Sequence, residues 1–324
     1  MKNSINRREF ISAGAAAGVA AVASAGSLTG AITSASQPDQ EIGGISKVCI
    51  FSKHLQWLDY REMAKFAREV GFDGIDLTVR PGGHVEPENA ERDLPEAVKI
   101  IREEGMQVPM MTSAVNDPDL PLSRRVLEAA AGQGIEFYRM GYYRYTPEKP
   151  VAETLSGVKA KMEKLARLNE SIGIRGSYQN HAGNGYFGAS IWDLWHVLKD
   201  LSPQWTGSQF DLRHSMAESV LNWKTALRLV VDYVNTLAVK DSFWETGKNQ
   251  EPRAEYCPLG QGFADFPSML ELLGHGSFNG SVSMHFEYPL GGAEHGGREL
   301  TISREAVRAA MKRDLEHFRK LADL

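Results

Sequence analysis

The chain has 324 residues, 42% of them hydrophobic and 24% charged, with a formal net charge of −5. A chain of this size and balance buries one large core. Its acidic surface does not attract phosphate backbones, which sets nucleic acid aside as a partner.

The N-terminal forty residues read as an address. Arg7-Arg8-Glu9-Phe10-Ile11 follows a short polar start, and an uncharged Ala/Gly-rich stretch then runs from Ile11 to Gln37. A positive start, an apolar middle and a small-residue exit make up the plan of a secretory signal. The paired arginines resemble a twin-arginine export signal, which implies a periplasmic or otherwise exported protein. Ala23-Ser24-Ala25 and Thr33-Ser34-Ala35 both suit cleavage. The alternative is a retained membrane anchor, but Gly, Ala and Ser dominate the stretch where an anchor needs about 20 strongly apolar residues. Cleavage would leave no stable membrane association. It would remove Lys2, Arg7, Arg8 and Glu9, taking the net charge from −5 to −7. Residues 1–40 are therefore expected as signal and linker, and 41–324 as the folded domain. Cys49 and Cys257 are expected as two buried thiols, since a domain this large needs no bridge.

From Ile45 onward a short β-rich run, a polar loop and an amphipathic helix recur. Strands are predicted over Lys47–Phe51, Gly74–Val79, Gln107–Thr112, Glu136–Met140, Gly173–Gln179, Thr206–Asp211, Val234–Val239 and Ser281–Glu287. Helices are predicted over Tyr60–Val70, Leu94–Glu104, Ser123–Ala131, Ala152–Ile172, Ile191–Leu201, Trp223–Asp232, Phe266–Leu273 and Ser303–Leu321. In the fourth helix Leu155, Val158, Met162, Leu165 and Leu168 form one apolar stripe at helical spacing. Gly71, Gly105 and Gly173 sit where a left-handed residue ends a helix, and Asp265 precedes Phe266-Pro267 as a cap-then-proline start. Strand–helix alternation implies parallel strands with helical crossovers. Eight units at a spacing of roughly 35 residues predict an α/β (β/α)8 TIM barrel. The alternative, an open doubly wound sheet, usually carries a glycine-rich turn after its first strand. Here that strand runs into Ser52-Lys53-His54-Leu55-Gln56-Trp57.

In such a barrel the active site gathers at the C-terminal strand ends. Those ends carry Lys53, His54 and Trp57; Asp76, Arg80 and His84; Arg139, Tyr142, Tyr143 and Arg144; and Gln179, Asn180 and His181. Further round come Asp211 and His214; Lys240, Asp241 and Trp244; and His285, Glu287 and Tyr288. Aromatic faces and planar hydrogen-bonding groups suit a polyhydroxylated ligand. A small-molecule sugar is therefore the expected partner, with His54, Trp57, Arg144 and Trp244 as candidate binding residues. Arg80, Arg139 and Arg144 are candidates for an anionic group. The Gly260-Gln-Gly262 turn offers either backbone amides to a phosphate or a tight turn before a capped helix.

Six segments resemble the xylose isomerase-like barrels of the sugar isomerase/epimerase superfamily: Gly71-Phe-Asp-Gly-Ile-Asp76, Tyr178-Gln-Asn-His181, Phe210-Asp-Leu-Arg-His214, Val239-Lys-Asp241, Pro258-Leu-Gly-Gln-Gly-Phe-Ala-Asp265 and Phe286-Glu287-Tyr288. The resemblance runs over Ile45–Leu324. It implies a divalent metal (Mn, Mg, Co or Zn) held by Glu, Asp, His and Glu on strands five to eight. Asp211 and Glu287 match that set, whereas Gln179 and Ala238 stand where Glu and His are expected. A neutral amide is a weaker ligand for a hard cation than a carboxylate. The resemblance also implies two glutamates as opposed acid and base, and Gln179 takes no proton. Side chains at i and i+2 of a strand share a face, so His285 points the same way as Glu287 and is a candidate replacement ligand; His181, on one face with Gln179, is a second. The alternative for His285 is a packed core histidine. Lys240, inward by the same parity, either steadies an enolate or pairs with Asp241 or another acid.

The expectation is a sugar isomerase/epimerase-like enzyme moving a proton beside a carbonyl. Glu287, His181, His214 and Lys240 are its catalytic candidates, and Asp211, Glu287, Gln179 and His285 its metal candidates. A lyase acting on an oxidised sugar or glycoside, a non-catalytic sugar-binding barrel and an endonuclease-like barrel are the alternatives; the acidic charge and the export signal oppose the last. The oligomeric state is left open.

Overall fold

The computed structural model describes residues 44–247, 250, 252–274, 276 and 278–324. The residues read as an export signal lie outside this range. Strands β1 (Lys47–Phe51), β2 (Gly74–Val79), β3 (Gln107–Ser113), β4 (Phe137–Arg139), β5 (Arg175–Gln179), β6 (Thr206–Asp211) and β7 (Val234–Val239) are followed by a hairpin of β8 (Asp241–Thr246) and β9 (Pro252–Cys257), and then by β10 (Ser281–Met284). Helices α1 (Tyr60–Val70), α2 (Ala90–Glu103), α3 (Pro121–Gly132), α4 (Val151–Ile172) and α5 (Ile191–Leu198) fill the crossovers of the first half. Helices α6 (Leu212–Glu218), α7 (Trp223–Val230), α8 (Phe266–Gly274) and α9 (Arg304–Leu321) follow. Strands β1–β7 and β10 close into a parallel barrel in the ring order β1-β10-β7-β6-β5-β4-β3-β2. Closure is the pairing of β1 with β10, Lys47 opposite Ser281 through Ile50 opposite Met284. The eight-stranded (β/α)8 barrel read from the sequence is the fold.

The strands are buried almost throughout, as parallel strands covered by helices must be. The outer layer is apolar: Ile75, Leu77, Phe210 and Leu237 pack under helix residues such as Ala67, Leu165, Leu227 and Phe318. The inner layer is polar. Asp76, midway along β2, accepts hydrogen bonds from Ser283 Oγ at 2.6 Å and Thr112 Oγ1 at 3.1 Å. Burial raises the Asp76 pKa to about 6, against the pull of these bonds and of Arg139 and Arg80. Helix ends follow the chain's own signals. Gly71 and Gly173 close α1 and α4 at φ of 107° and 81°. Asp59 caps α1 through the Glu62 amide, and Ser303 caps α9.

Several boundaries differ from expectation. β5 begins at Arg175, because Gly173 serves as the helix terminus. β10 ends at Met284, so His285–Glu287 lie on the segment beyond it. α2 begins at Ala90 with Pro95 inside it, and α5 stops at Leu198. Helix α6 and the β8–β9 hairpin were not expected. α6 is short and starts at Asp211, whose side chain accepts from the His214 amide at 3.0 Å. The hairpin pairs with itself, Asp241 opposite Cys257 through Thr246 opposite Pro252, outside the barrel ladder. Cys49 and Cys257 are free and buried. No helix among the described residues is long and apolar enough to cross a membrane.

The Gly260–Gly262 turn is a tight turn that binds a carboxylate of its own chain. Asp241 Oδ2 accepts from the amides of Gly260 at 3.0 Å and Gly262 at 2.9 Å, and Oδ1 from Ser242 at 2.8 Å and Ala264 at 3.1 Å. These amides are therefore not open to a phosphate. Gly262 is required, since a Cβ there would fall on Asp241 Oδ1 and the Ser242 carbonyl. Asp241→Ala is expected to cost about 2–5 kcal/mol, because it leaves buried amides without an acceptor. Urea unfolding measures this; a midpoint unchanged from wild type would show that the turn does not depend on the carboxylate.

Candidate active site

The C-terminal ends of the barrel strands surround a pocket of about 540 Å³, lined by Phe51, Lys53, Arg80, Arg139, Tyr142, Gln179, His181, Lys240, Tyr256, His285 and Glu287. Every barrel strand except β3 and β6 delivers a lining residue, and Asp211 at the end of β6 lies directly behind Gln179 and Lys240. A second cavity of about 530 Å³ is lined by Val79, Pro81, Val115, Leu120 and other largely apolar residues, with Glu88 as its one charged group. It lacks an acid–base pair, so the chemistry belongs to the first.

Two ion pairs organise the site. Lys240 Nζ lies 3.0 Å from Asp211 Oδ2, which also accepts from Gln179 Nε2 at 2.8 Å. Lys53 Nζ donates to Glu287 Oε2 at 2.7 Å. Burial opposes the charge on Lys240, but Asp211, Tyr256 and Glu287 outweigh it and raise its pKa. Burial likewise opposes the charge on Glu287, but His285 beside it and the Lys240 and Lys53 charges hold its carboxyl far below the ordinary range. Burial lowers Lys53, with Glu287 pulling the other way. Gln179 is used at both ends: its Oε1 accepts from Tyr142 Oη at 2.6 Å and from Arg139 at 3.0 Å, while its amide nitrogen donates to Asp211.

The histidines are neutral and distinct. His181 Nδ1 meets the Ala182 carbonyl at 2.7 Å, an oxygen that only accepts; the proton therefore sits on Nδ1 and Nε2 keeps its lone pair. Burial and then Lys240 push its pKa down to about 4. The His214 ring packs behind it, tilted by 35° with centroids 4.0 Å apart, and its Nδ1 faces the Arg213 guanidinium at 3.0 Å. Its proton is thus on Nε2, 3.7 Å from Asp211 Oδ2. His285 stacks on Phe51 at 4.4 Å, and Nδ1 lies 3.7 Å from Glu287 Oε1. Neither of its ring nitrogens has a hydrogen-bond partner.

The catalytic candidate His214 and the metal candidate Asp211 lie behind the lining, and the four substrate-binding candidates do not line the pocket either. His54 is fully buried and uses both nitrogens on backbone: Nδ1 donates to the Ala293 carbonyl at 3.1 Å and Nε2 accepts from the Phe286 amide at 3.0 Å. It pins the segment that presents Glu287. Trp57 donates to the His54 carbonyl and packs edge-on to Phe66. Arg144 lies over the Tyr186 ring on the surface, and Trp244 stacks on Phe263 at the exposed hairpin. Sequence reasoning missed two lining residues, Phe51 at the end of β1 and, on the hairpin, Tyr256. It comes from β9, and Arg213 holds it: the guanidinium lies 4.4 Å from the Tyr256 ring centroid and bonds Ser242 Oγ and the Ala254 carbonyl across the hairpin. Only the alternation of Arg253, Glu255 and Cys257 around it hinted at a strand.

The four metal candidates do not assemble into a metal centre. Asp211 and Glu287 each hold a lysine ammonium, Gln179 presents its donor end to Asp211, and His285 faces Glu287 alone. Among the described residues no group of three or more His, Cys, Asp or Glu converges to hold an ion. Two protein cations thus stand against the two carboxylates a divalent ion would need, and this donor set does not fit one.

A closed (β/α)8 barrel with a charged, aromatic-walled pocket at the C-terminal strand ends is the class that this fold and site define. The chain belongs to the xylose isomerase-like TIM barrel family, whose model matches residues 64–321. Among solved structures it is similar to a 3-keto-D-glucoside 4-epimerase from E. coli (16% identity, TM-score 0.61, covering 85% of this chain and 99% of that one). It is also similar to a D-psicose 3-epimerase from Clostridium cellulolyticum H10 (14%, 0.63, 85% and 99%) and to a xylose isomerase-like barrel from Mycobacterium smegmatis in complex with magnesium (14%, 0.61, 85% and 96%). At these identities the likeness is one of fold. No curated protein matches the sequence.

The buried histidines make acid sensitivity an expected property. The His54 pKa is pushed down to about 4, chiefly by burial, against about 6.5 in an unfolded chain. A lowered histidine pKa means that the unfolded chain binds the extra proton, so stability is full above pH 6.5 and falls towards pH 4. His54→Phe is expected to lower the melting temperature at pH 7.5, through two lost hydrogen bonds, and to lose less than wild type between pH 6.5 and 4.5. Equal losses in both proteins would show that His54 does not carry the effect.

Proposed function

We propose that the protein is a sugar-directed enzyme of isomerase or epimerase type, taking and returning a proton at a carbon beside a carbonyl. The observation that carries this reading is one pocket holding an ionised Glu287, a neutral His181 with a free Nε2, and the Lys240 cation between them in the ring. Proton transfer beside a carbonyl needs a base near the carbon and a fixed positive field near the oxygen, where negative charge develops. Lys240 supplies that field; Tyr142 adds a hydroxyl, which here bonds Gln179. Glu287 is the base. While Lys53 holds it the carboxylate is weakly basic, and a substrate oxygen that takes over the Lys53 ammonium strengthens it. Glu287 returns the proton it took; His181, with its free Nε2, accepts a hydrogen bond from a substrate hydroxyl, and His214 packs 4.0 Å behind it as the opposite neutral tautomer. The flat faces of Phe51, Tyr142 and Tyr256 suit the C–H side of a sugar.

Gln179 carries no proton, so symmetric exchange between two glutamates is not part of the scheme. A one-base reaction, including elimination from a keto-sugar, uses the same groups. Nothing in the scheme passes through a metal, since the donor set does not fit one. The reading includes export before action, on the strength of the Arg7-Arg8 segment in the sequence alone.

The mature protein is expected to exchange C–H for C–D on a member of a ketose and keto-sugar panel in deuterium oxide, followed by proton NMR. Glu287→Gln is expected to slow this by about 10²–10⁴-fold. Dialysis against EDTA is expected to leave the rate unchanged. Loss of exchange on chelation, restored by manganese or magnesium, would overturn the metal-free scheme. No exchange on any sugar by the wild type would overturn the enzyme reading in favour of a binding barrel.

A further inference from the structure

The ion pairs of the pocket leave two guanidinium groups over. Lys240 is matched by Asp211 and Lys53 by Glu287. Arg80 and Arg139 line the same wall, at the ends of β2 and β4. Arg80 lies over the Phe51 ring, 5.4 Å from its centroid, and Arg139 bonds only the neutral oxygens of Tyr142 and Gln179. Among the described residues no carboxylate forms an ion pair with either. Arg139 is 6% exposed, and its Nε has no hydrogen-bond partner. An uncompensated guanidinium at such burial is costly unless a ligand supplies the counter-charge. The two groups also repel each other, and this adds to burial in lowering the Arg80 pKa. Two acids act on them: Asp76, below the pocket floor, is already engaged by Ser283 and Thr112, and Glu287, which also acts on Arg80, is held by Lys53.

We infer that the substrate carries a carboxylate, bound in the pocket by Arg80 and Arg139, so that the enzyme acts on an acidic sugar of uronate or keto-aldonate type. The charge count selects this anion. Two unpaired guanidinium charges set against Asp76 leave a surplus of one, which suits a monoanionic carboxylate better than a phosphate ester, nearly dianionic at neutral pH. Guanidinium forks are also matched in shape to a planar carboxylate. The inference rests on the proposed function for the word substrate, but the binding site stands on geometry alone.

Calorimetric titration at low salt tests it, with D-glucuronate, D-galacturonate, glycolate, the neutral parents D-glucose and D-galactose, and glucose 6-phosphate as probes. At least one carboxylate is expected to bind at least tenfold more tightly than its neutral counterpart and than the phosphate, and to weaken as salt rises. Arg80→Gln and Arg139→Gln are each expected to weaken it at least tenfold. Arg139→Lys keeps a cation behind Tyr142 should Arg139→Gln not fold, and is expected to weaken binding less than Arg80→Gln. Glu287→Gln is expected to keep carboxylate binding while losing proton exchange, which separates the two readings. Carboxylate binding without exchange in the wild type would remove the catalytic reading and leave the site. Equal affinity for neutral sugars, tighter binding of the phosphate, no binding of any carboxylate, or binding unaffected in Arg80→Gln would overturn the inference.

Discussion

Two carboxylates, each held by a lysine, set the form of this barrel mouth. Asp211 is fully buried at the end of β6, Glu287 is half-buried just beyond β10, and the two strands are separated in the ring by β7 alone. A buried carboxylate needs a cation or several donors. Here Lys240 and Gln179 answer Asp211, and Lys53 answers Glu287 across the β1–β10 closure. Because β1 carries Lys53 and β10 precedes Glu287, the electrostatics of the site depend on the barrel being closed. The reverse also holds: an open β1–β10 seam would leave Glu287 without its partner.

Around these pairs the chain builds a rigid frame from polar contacts outside the pocket. His54 fixes the segment between Met284 and Ala293 by gripping backbone at both ends. Asp241 fixes the Gly260–Ala264 turn, and Arg213 fixes the hairpin that brings Tyr256 over the pocket. Each is a charged or titratable side chain spent on backbone or a ring. Such residues look like active-site candidates in a sequence, since chemistry and loop architecture draw on the same side chains.

The ligand set that the resemblance implies and the present site differ at two positions, Gln179 and Ala238. A glutamate at Gln179 and a histidine at Ala238 would restore the family's ligand set implied by the resemblance. With Gln179 in place, the amide donates where a ligand would accept, and Lys240 reaches Asp211 across the space that Ala238 leaves. The same residue leaves Arg139 bonded to a neutral amide oxygen instead of a carboxylate.

The sequence by itself determined the barrel, since period-two apolar strands alternating with amphipathic helices admit few arrangements and the chain's glycines and capping residues mark the turns. It also identified the strand ends that carry chemistry, with Gln179, Asp211 and Glu287 singled out by the family resemblance and Lys240 and His285 by the parity of side chains along a strand. Only the tertiary structure decided what those residues do. Whether Lys240 pairs with Asp241 or Asp211, whether His54 faces a ligand or the backbone, and whether four candidate ligands converge are distances between strands far apart in sequence. No local pattern encodes such a distance. Tyr256 was invisible for the same reason: its hairpin is half exposed, carries no strong periodicity, and acquires its place from Arg213, on a helix that the sequence did not announce.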